Sequence, residues 1–144
     1  MTEITLNKTI FLPADKARVW AFLTDPEKLA AWFHKPAVPL GEGTSYEMFG
    51  TQSGERLMWG EVISARPHDY LEYTFEIAPL QGHATRVAWT LEAVPGGTRL
   101  SLVHSGLPEG EAGFGLVLAL DEGWDSHLGR LRTNAPDLSP EKTV

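Results

Sequence analysis

Apolar and polar residues alternate along this chain with two different periods, and the places where the period changes mark its elements. Ile4, Leu6, Lys8, Ile10 and Leu12 alternate with Thr5, Asn7, Thr9 and Phe11, the period of two expected of a strand with one covered face. Pro13 ends the run. Asp15 can then cap a short helix whose inward residues are Val19, Trp20 and Leu23. Asp25-Pro26-Glu27 restarts the chain with an N-cap, a proline at the first helical position and an acid in the first turn. This second helix carries Leu29, Trp32 and Phe33 and stops before Pro36.

From Gly43 to Gly106 the period returns to two. Five apolar runs are separated by the turn formers Ser53-Gly54, Arg66-Pro67-His68-Asp69, Gln81-Gly82 and Pro95-Gly96-Gly97, the pattern of an antiparallel meander. Leu71, Tyr73, Phe75 and Ile77 form one inward set, Val87, Trp89 and Leu91 a second, and Leu100, Leu102 and His104 a third. Around Leu57 to Ile63 both phases are apolar, so the inner face of that strand is left open. Gly60 within it points to a bulge or a close backbone approach.

The last element predicted is a helix from Glu111 to Thr133, roughly 30–35 Å long. Val117, Leu120, Trp124, Leu128 and Leu131 fall on one narrow stripe, with Phe114 at its edge. Acidic residues come early and Arg130 and Arg132 late, as the helix dipole prefers. The order is therefore strand, two short helices, five strands and a long helix. Antiparallel strands that leave one apolar face bare need a stripe to cover it, which predicts an α+β domain with a curved six-stranded sheet around the C-terminal helix. One domain is expected over residues 1–134, with 135–144, rich in proline and without periodicity, as a loose tail.

Composition narrows the functional classes. A chain of 144 residues with 42% hydrophobic and 22% charged side chains is an ordinary globular domain. It has no cysteine, which excludes disulfides, thiolate metal sites and cysteine nucleophiles. The net charge of −7, with no run of Lys or Arg to offset it, argues against nucleic acid and against anionic membranes as partners. No basic leader with an apolar core opens the chain and no span is long enough to cross a bilayer, so a cytoplasmic setting is expected.

Several stretches resemble a known family. Ile10-Phe11-Leu12-Pro13-Ala14 followed by Val19-Trp20, Leu23-Thr24-Asp25-Pro26-Glu27, and Leu29 through Trp32-Phe33 resemble the opening of proteins similar to the activator of heat-shock-protein ATPase homologue. Gly60-Glu61-Val62-Ile63 with Pro67 and Leu71-Glu72-Tyr73-Thr74-Phe75 resemble its middle strands. Gly97 through Gly106, then Gly123-Trp124 with Leu128 and Leu131, resemble its ending. That family belongs to the wider START and Bet v allergen-like superfamily. The resemblance implies a helix-grip fold whose cavity takes apolar ligands, with some members acting as cyclases or hydrolases and others binding a chaperone.

The candidate chemistry follows from the inward sets. A cavity between sheet and helix would be lined by Tyr73, Phe75, Trp89, Leu102, His104, Leu120, Trp124 and Leu128, with Trp32, Phe33, Tyr46 and Met48 near one mouth. The competing expectation is that these side chains fill the interior. His104 either satisfies itself on a backbone or hydroxyl group, or orients the polar end of a ligand. Glu61, Tyr73 and His104 are the one set that could act as acid, base and orienting group. No catalytic residue is assigned, and no metal or cofactor is expected, because His34, His68, His83, His104 and His127 are scattered and no nucleophile elbow or phosphate loop is present. Asp121, Glu122 and Asp125 read as a solvated acidic face. Trp59 and Phe49 would mark a dimer interface if their outer strand faces were apolar. The first functional reading is binding of a small, largely apolar molecule by a monomer or homodimer. An enzyme using the same cavity is the second, and a module contacting a chaperone or signalling partner the third.

Overall fold

A computed structural model describes residues 4–50 and 52–135. Strand β1 spans Ile4–Leu12. Helix α1 covers Lys16–Thr24 and α2 covers Pro26–Trp32, followed by β2 (Lys35–Pro36), β3 (Ser45–Phe49), β4 (Arg56–Arg66) and β5 (Tyr70–Phe75). Strands β6 (Thr85–Val94) and β7 (Gly97–Leu107) lead into the long helix α3, Glu111–Asn134. The antiparallel sheet runs β1-β7-β6-β5-β4-β3-β2. It has seven strands rather than the six expected. The extra one is β2, two residues that pair with Phe49 and Met48, and Pro36 is tolerated there because β2 is an edge.

Local signals start the helices. The Asp15 carboxylate accepts from the Arg18 amide at 2.9 Å, and Asp25 accepts from the Glu27 amide at 3.1 Å with Pro26 as the first helical residue. Helix α3 has no side-chain cap; Gly110, at φ 91°, turns the chain into it. Val117, Trp124, Leu128 and Leu131 are buried on its inner stripe, each worth on the order of 2 kcal/mol of transfer free energy. Phe114 and Leu118 are exposed instead. Ala135, placed by the sequence in the tail, is buried and its carbonyl accepts from the Arg18 side chain, which ties the end of α3 to α1. The rest of the expected tail lies outside the described residues.

Two features of the sheet bear on the site. First, the open phase of β4 is resolved: Met58 and Val62 are buried, while Leu57, Glu61 and Ile63 are exposed. Gly60 lies so close to β5 that a Cβ there would sit 2.3 Å from the Thr74 carbonyl oxygen. Tyr46, which pairs with Gly60, passes its hydroxyl on to that same carbonyl at 2.6 Å. Second, Lys8 belongs to the covered phase of edge strand β1, and its ammonium pairs with Asp121 at 2.6 Å and Asp125 at 2.9 Å on α3. The acidic face of α3 thus has a partner in the sheet, and an inward charge on an edge strand opposes sheet-to-sheet aggregation.

Candidate functional site

Between sheet and helix the aromatic side chains meet one another. Trp89 stands edge-on to Trp32 at 5.9 Å and to Trp124 at 5.6 Å, and Phe33 stacks on Trp32 at 5.1 Å and on Trp124 at 5.4 Å. Their polar handles are satisfied inside the core. The Trp32 indole donates to the Phe22 carbonyl at 2.8 Å, and Trp89 donates to the Tyr73 hydroxyl at 3.0 Å. Of the residues proposed to line a cavity, Trp32, Met48, Tyr73, Trp89, Leu102, His104 and Leu128 pack this interior.

His104 is fully buried in a directed chain of hydrogen bonds. The Trp124 indole donates to Nδ1 at 3.0 Å, Nε2 lies 2.8 Å from the Thr85 hydroxyl, and that hydroxyl donates to the Phe75 carbonyl at 2.8 Å. An indole can only donate, so Nδ1 must accept and the network assigns the proton to Nε2. Burial pushes the His104 pKa down to about 4. Glu61 is exposed on the phase of β4 opposite to Met58 and Val62, and the Tyr73 hydroxyl is taken by Trp89. The three groups suggested as acid, base and orienting set therefore do not converge.

Alongside the middle of α3 a pocket of about 150 Å³ stays open. Its walls are Phe33, Phe75, Leu120 and Trp124, all assigned to the cavity by sequence, together with Met58 and Ile77. Ala119, Gly123 and His127 form its helical side, and His34 completes it. Positions 119, 123 and 127 recur every four residues, so two small residues on one stripe leave a slot beside Trp124. The backbone at Phe33, with φ −134° and ψ −122°, turns the chain out of α2 and presents Phe33 and His34 to this slot.

The two histidines were not singled out by sequence, being far apart along the chain. In the fold their rings lie edge to face at 5.2 Å. Burial, followed by the neighbouring His34 and Arg130, pushes the His127 pKa down to about 4. Burial, then Arg130, also lowers that of His34. The Arg130 guanidinium donates to the Trp32 carbonyl, to the Ser126 hydroxyl and to Nδ1 of His127. Nδ1 of His127 meets both the Arg130 guanidinium, from which it can only accept, and the Trp32 carbonyl at 3.2 Å, to which it can only donate, so these contacts occupy Nδ1 without assigning its proton. Among the described residues no group of three or more potential ligands is arranged for a metal ion.

A second, wider depression of about 530 Å³ opens beside β3 to β5, bordered by Tyr46, Trp59 and Phe49. Glu47, Glu61 and Glu76 line it, Arg56 lies 4.1 Å over the Trp59 ring, and Arg56 pairs with Glu47 at 2.9 Å. The outer phase of β4 that holds Trp59 is mixed, with Leu57 and Ile63 exposed beside Glu61.

A curved antiparallel sheet closed by a long C-terminal helix, with a small aromatic pocket beside the middle of that helix, defines a helix-grip protein of the START-like class. Within it, the chain belongs to the family described as Activator of Hsp90 ATPase homolog 1-like protein, whose model matches residues 13–135. No curated protein matches the sequence. Among solved structures the chain is similar to DynU16, a protein of the dynemicin biosynthetic locus, at 27% identity and a TM-score of 0.76. That likeness covers 90% of this chain and 46% of DynU16, so this chain spans about half of that protein's length. MLL2253 from Mesorhizobium loti is 22% identical, with a TM-score of 0.79 over 90% of this chain and 95% of that one. The Aha1 dimer from Colwellia psychrerythraea is 18% identical, with a TM-score of 0.76 over 92% and 96%. Among the described residues no helix is long and apolar enough to cross a membrane.

Proposed function

We propose that this protein binds a small, largely apolar molecule in the pocket between Phe33–His34 and α3. The observation that carries the reading is the pocket itself: an opening of about 150 Å³ walled by aromatic and aliphatic side chains beside the buried core. An apolar group that enters such a slot gains free energy as its surface leaves water. DynU16, which shares the fold, comes from a biosynthetic locus, a setting in which small organic molecules are made. A cytoplasmic setting belongs to the same proposal. The direct test is a native mass measurement on protein taken straight from cells, with titration by a hydrophobic fluorescent probe as its complement. Added mass or a saturable probe signal supports the reading, and bare protein with no saturable signal counts against it.

A second reading, self-association, is favoured by Phe114 and Leu118. They are 59% and 46% exposed one turn apart on α3. The Colwellia psychrerythraea protein of this fold was determined as a dimer.

A further inference from the structure

Building on the proposed pocket, we infer that its ligand is, or presents, a single aromatic ring carrying an uncharged hydroxyl: the phenol class. Size sets the first limit, since a cavity of about 150 Å³ lined by apolar side chains accommodates a benzene-sized molecule. The walls set the second. The rings of Phe33, Phe75 and Trp124 offer faces and edges to an aromatic guest, and the Met58 thioether adds a sulfur–ring contact.

The rim sets the third limit. Nδ1 of His127 is taken up by Arg130 and the Trp32 carbonyl, which leaves Nε2 for a ligand. His34 lines the same pocket, and its neutral ring carries one N–H donor and one acceptor nitrogen. Two neutral imidazoles whose rings meet at 5.2 Å can between them donate to and accept from a hydroxyl, which itself does both. A hydrocarbon would leave both imidazoles unanswered. An ammonium would face the positive field of Arg130, whose guanidinium lies against His127. A carboxylate would have to leave water for apolar walls that Arg130 does not line.

Gly123 allows the site to be closed without disturbing the core. It lies on the pocket stripe between Ala119 and His127, and a Cβ built there meets no atom within 4 Å. Replacing a helical glycine by a good helix former favours folding, so Gly123→Leu fills the slot while keeping the melting temperature at or above that of the parent.

The experiment is calorimetric titration of the unaltered protein with 4-methylphenol, toluene, benzoate and benzylamine at neutral pH, repeated on Gly123→Leu and His34→Phe. The inference expects 4-methylphenol to bind about fivefold tighter than toluene, the value of one net hydrogen bond, and more tightly than either ion. Gly123→Leu loses this binding, and His34→Phe loses the preference over toluene while keeping toluene. Toluene binding as tightly as 4-methylphenol, or either ion binding best, overturns the phenol class and leaves the apolar pocket standing. Binding of 4-methylphenol that survives Gly123→Leu in a folded protein overturns the assignment to this site. No saturable binding by any of the four overturns this inference and the pocket together.

Discussion

The indole of Trp124 and the imidazole of His104 join α3 to β7 through a single hydrogen bond, Nε1–H to Nδ1, at 3.0 Å. Because Thr85 takes up the other side of the ring, the helix is keyed to the sheet at the depth of the core and beside the pocket wall. Replacing His104 with Leu strands a buried indole N–H and is expected to cost about 1–3 kcal/mol in urea unfolding. His104→Gln, whose amide can accept from Trp124 and donate to Thr85, is expected to retain most of that stability. Equal losses for the two variants would show that volume, not the hydrogen bond, matters at this position.

The same burial makes stability depend on pH. His104 and His127 titrate at about 4 when folded and near 6.5 when unfolded, and His34 is shifted in the same direction. Between those values the unfolded chain binds more protons, so stability must rise with pH up to about 6.5 and fall as pH drops toward 4. For the fully buried His104 the loss amounts to roughly 3 kcal/mol. Urea midpoints measured from pH 7 down to pH 4 should fall steadily, with a shallower slope in His104→Gln. A flat profile would show that these imidazoles are not held neutral.

The order of elements, both aspartate caps and the inward sets of β5, β6 and β7 were legible because they depend on period and local chemistry. Whether the inward side chains would meet or leave a space was not. Period two places Tyr73, Trp89 and His104 inside, but only the sheet's curvature decides that Trp89 reaches Trp32 and Trp124. The pocket's histidines escaped notice because His34 sits in a turn with no period and His127 is on the flank of a helical stripe. The spacing of Ala119, Gly123 and His127 was a signal available in the sequence. Likewise Lys8 on a covered strand face and Asp121 and Asp125 on a helix were each visible, while their pairing required the fold.

The crowding of β4 against β5 offers a prediction about the sheet itself. Gly60 leaves no room for a side chain, since a Cβ would meet the Thr74 carbonyl oxygen, a backbone atom that cannot swing aside. Gly60→Ala should therefore cost about 2–3 kcal/mol in chemical unfolding. Tyr46→Phe removes only the hydrogen bond onto the same carbonyl and should cost about 1 kcal/mol. If Gly60→Ala proves neutral, the close approach of the two strands is not maintained in solution.

Phe114 and Leu118 test whether α3 has a second role on its outer side. The inner stripe from Val117 to Leu131 carries the helix's packing, so the two exposed residues contribute little to the fold. Changing both to Gln, a good helix former, should leave the unfolding free energy within about 0.5 kcal/mol of the parent. If the chain self-associates through this face, its mass in sedimentation will rise with concentration and the double variant will remain a monomer over the same range. A variant that associates as the parent does would move the contact elsewhere on the surface. A parent that stays monomeric throughout would leave the two side chains without a partner of their own kind. The pocket on the neighbouring stripe at Ala119, Gly123 and His127 should be unaffected in either case, because neither residue lines it.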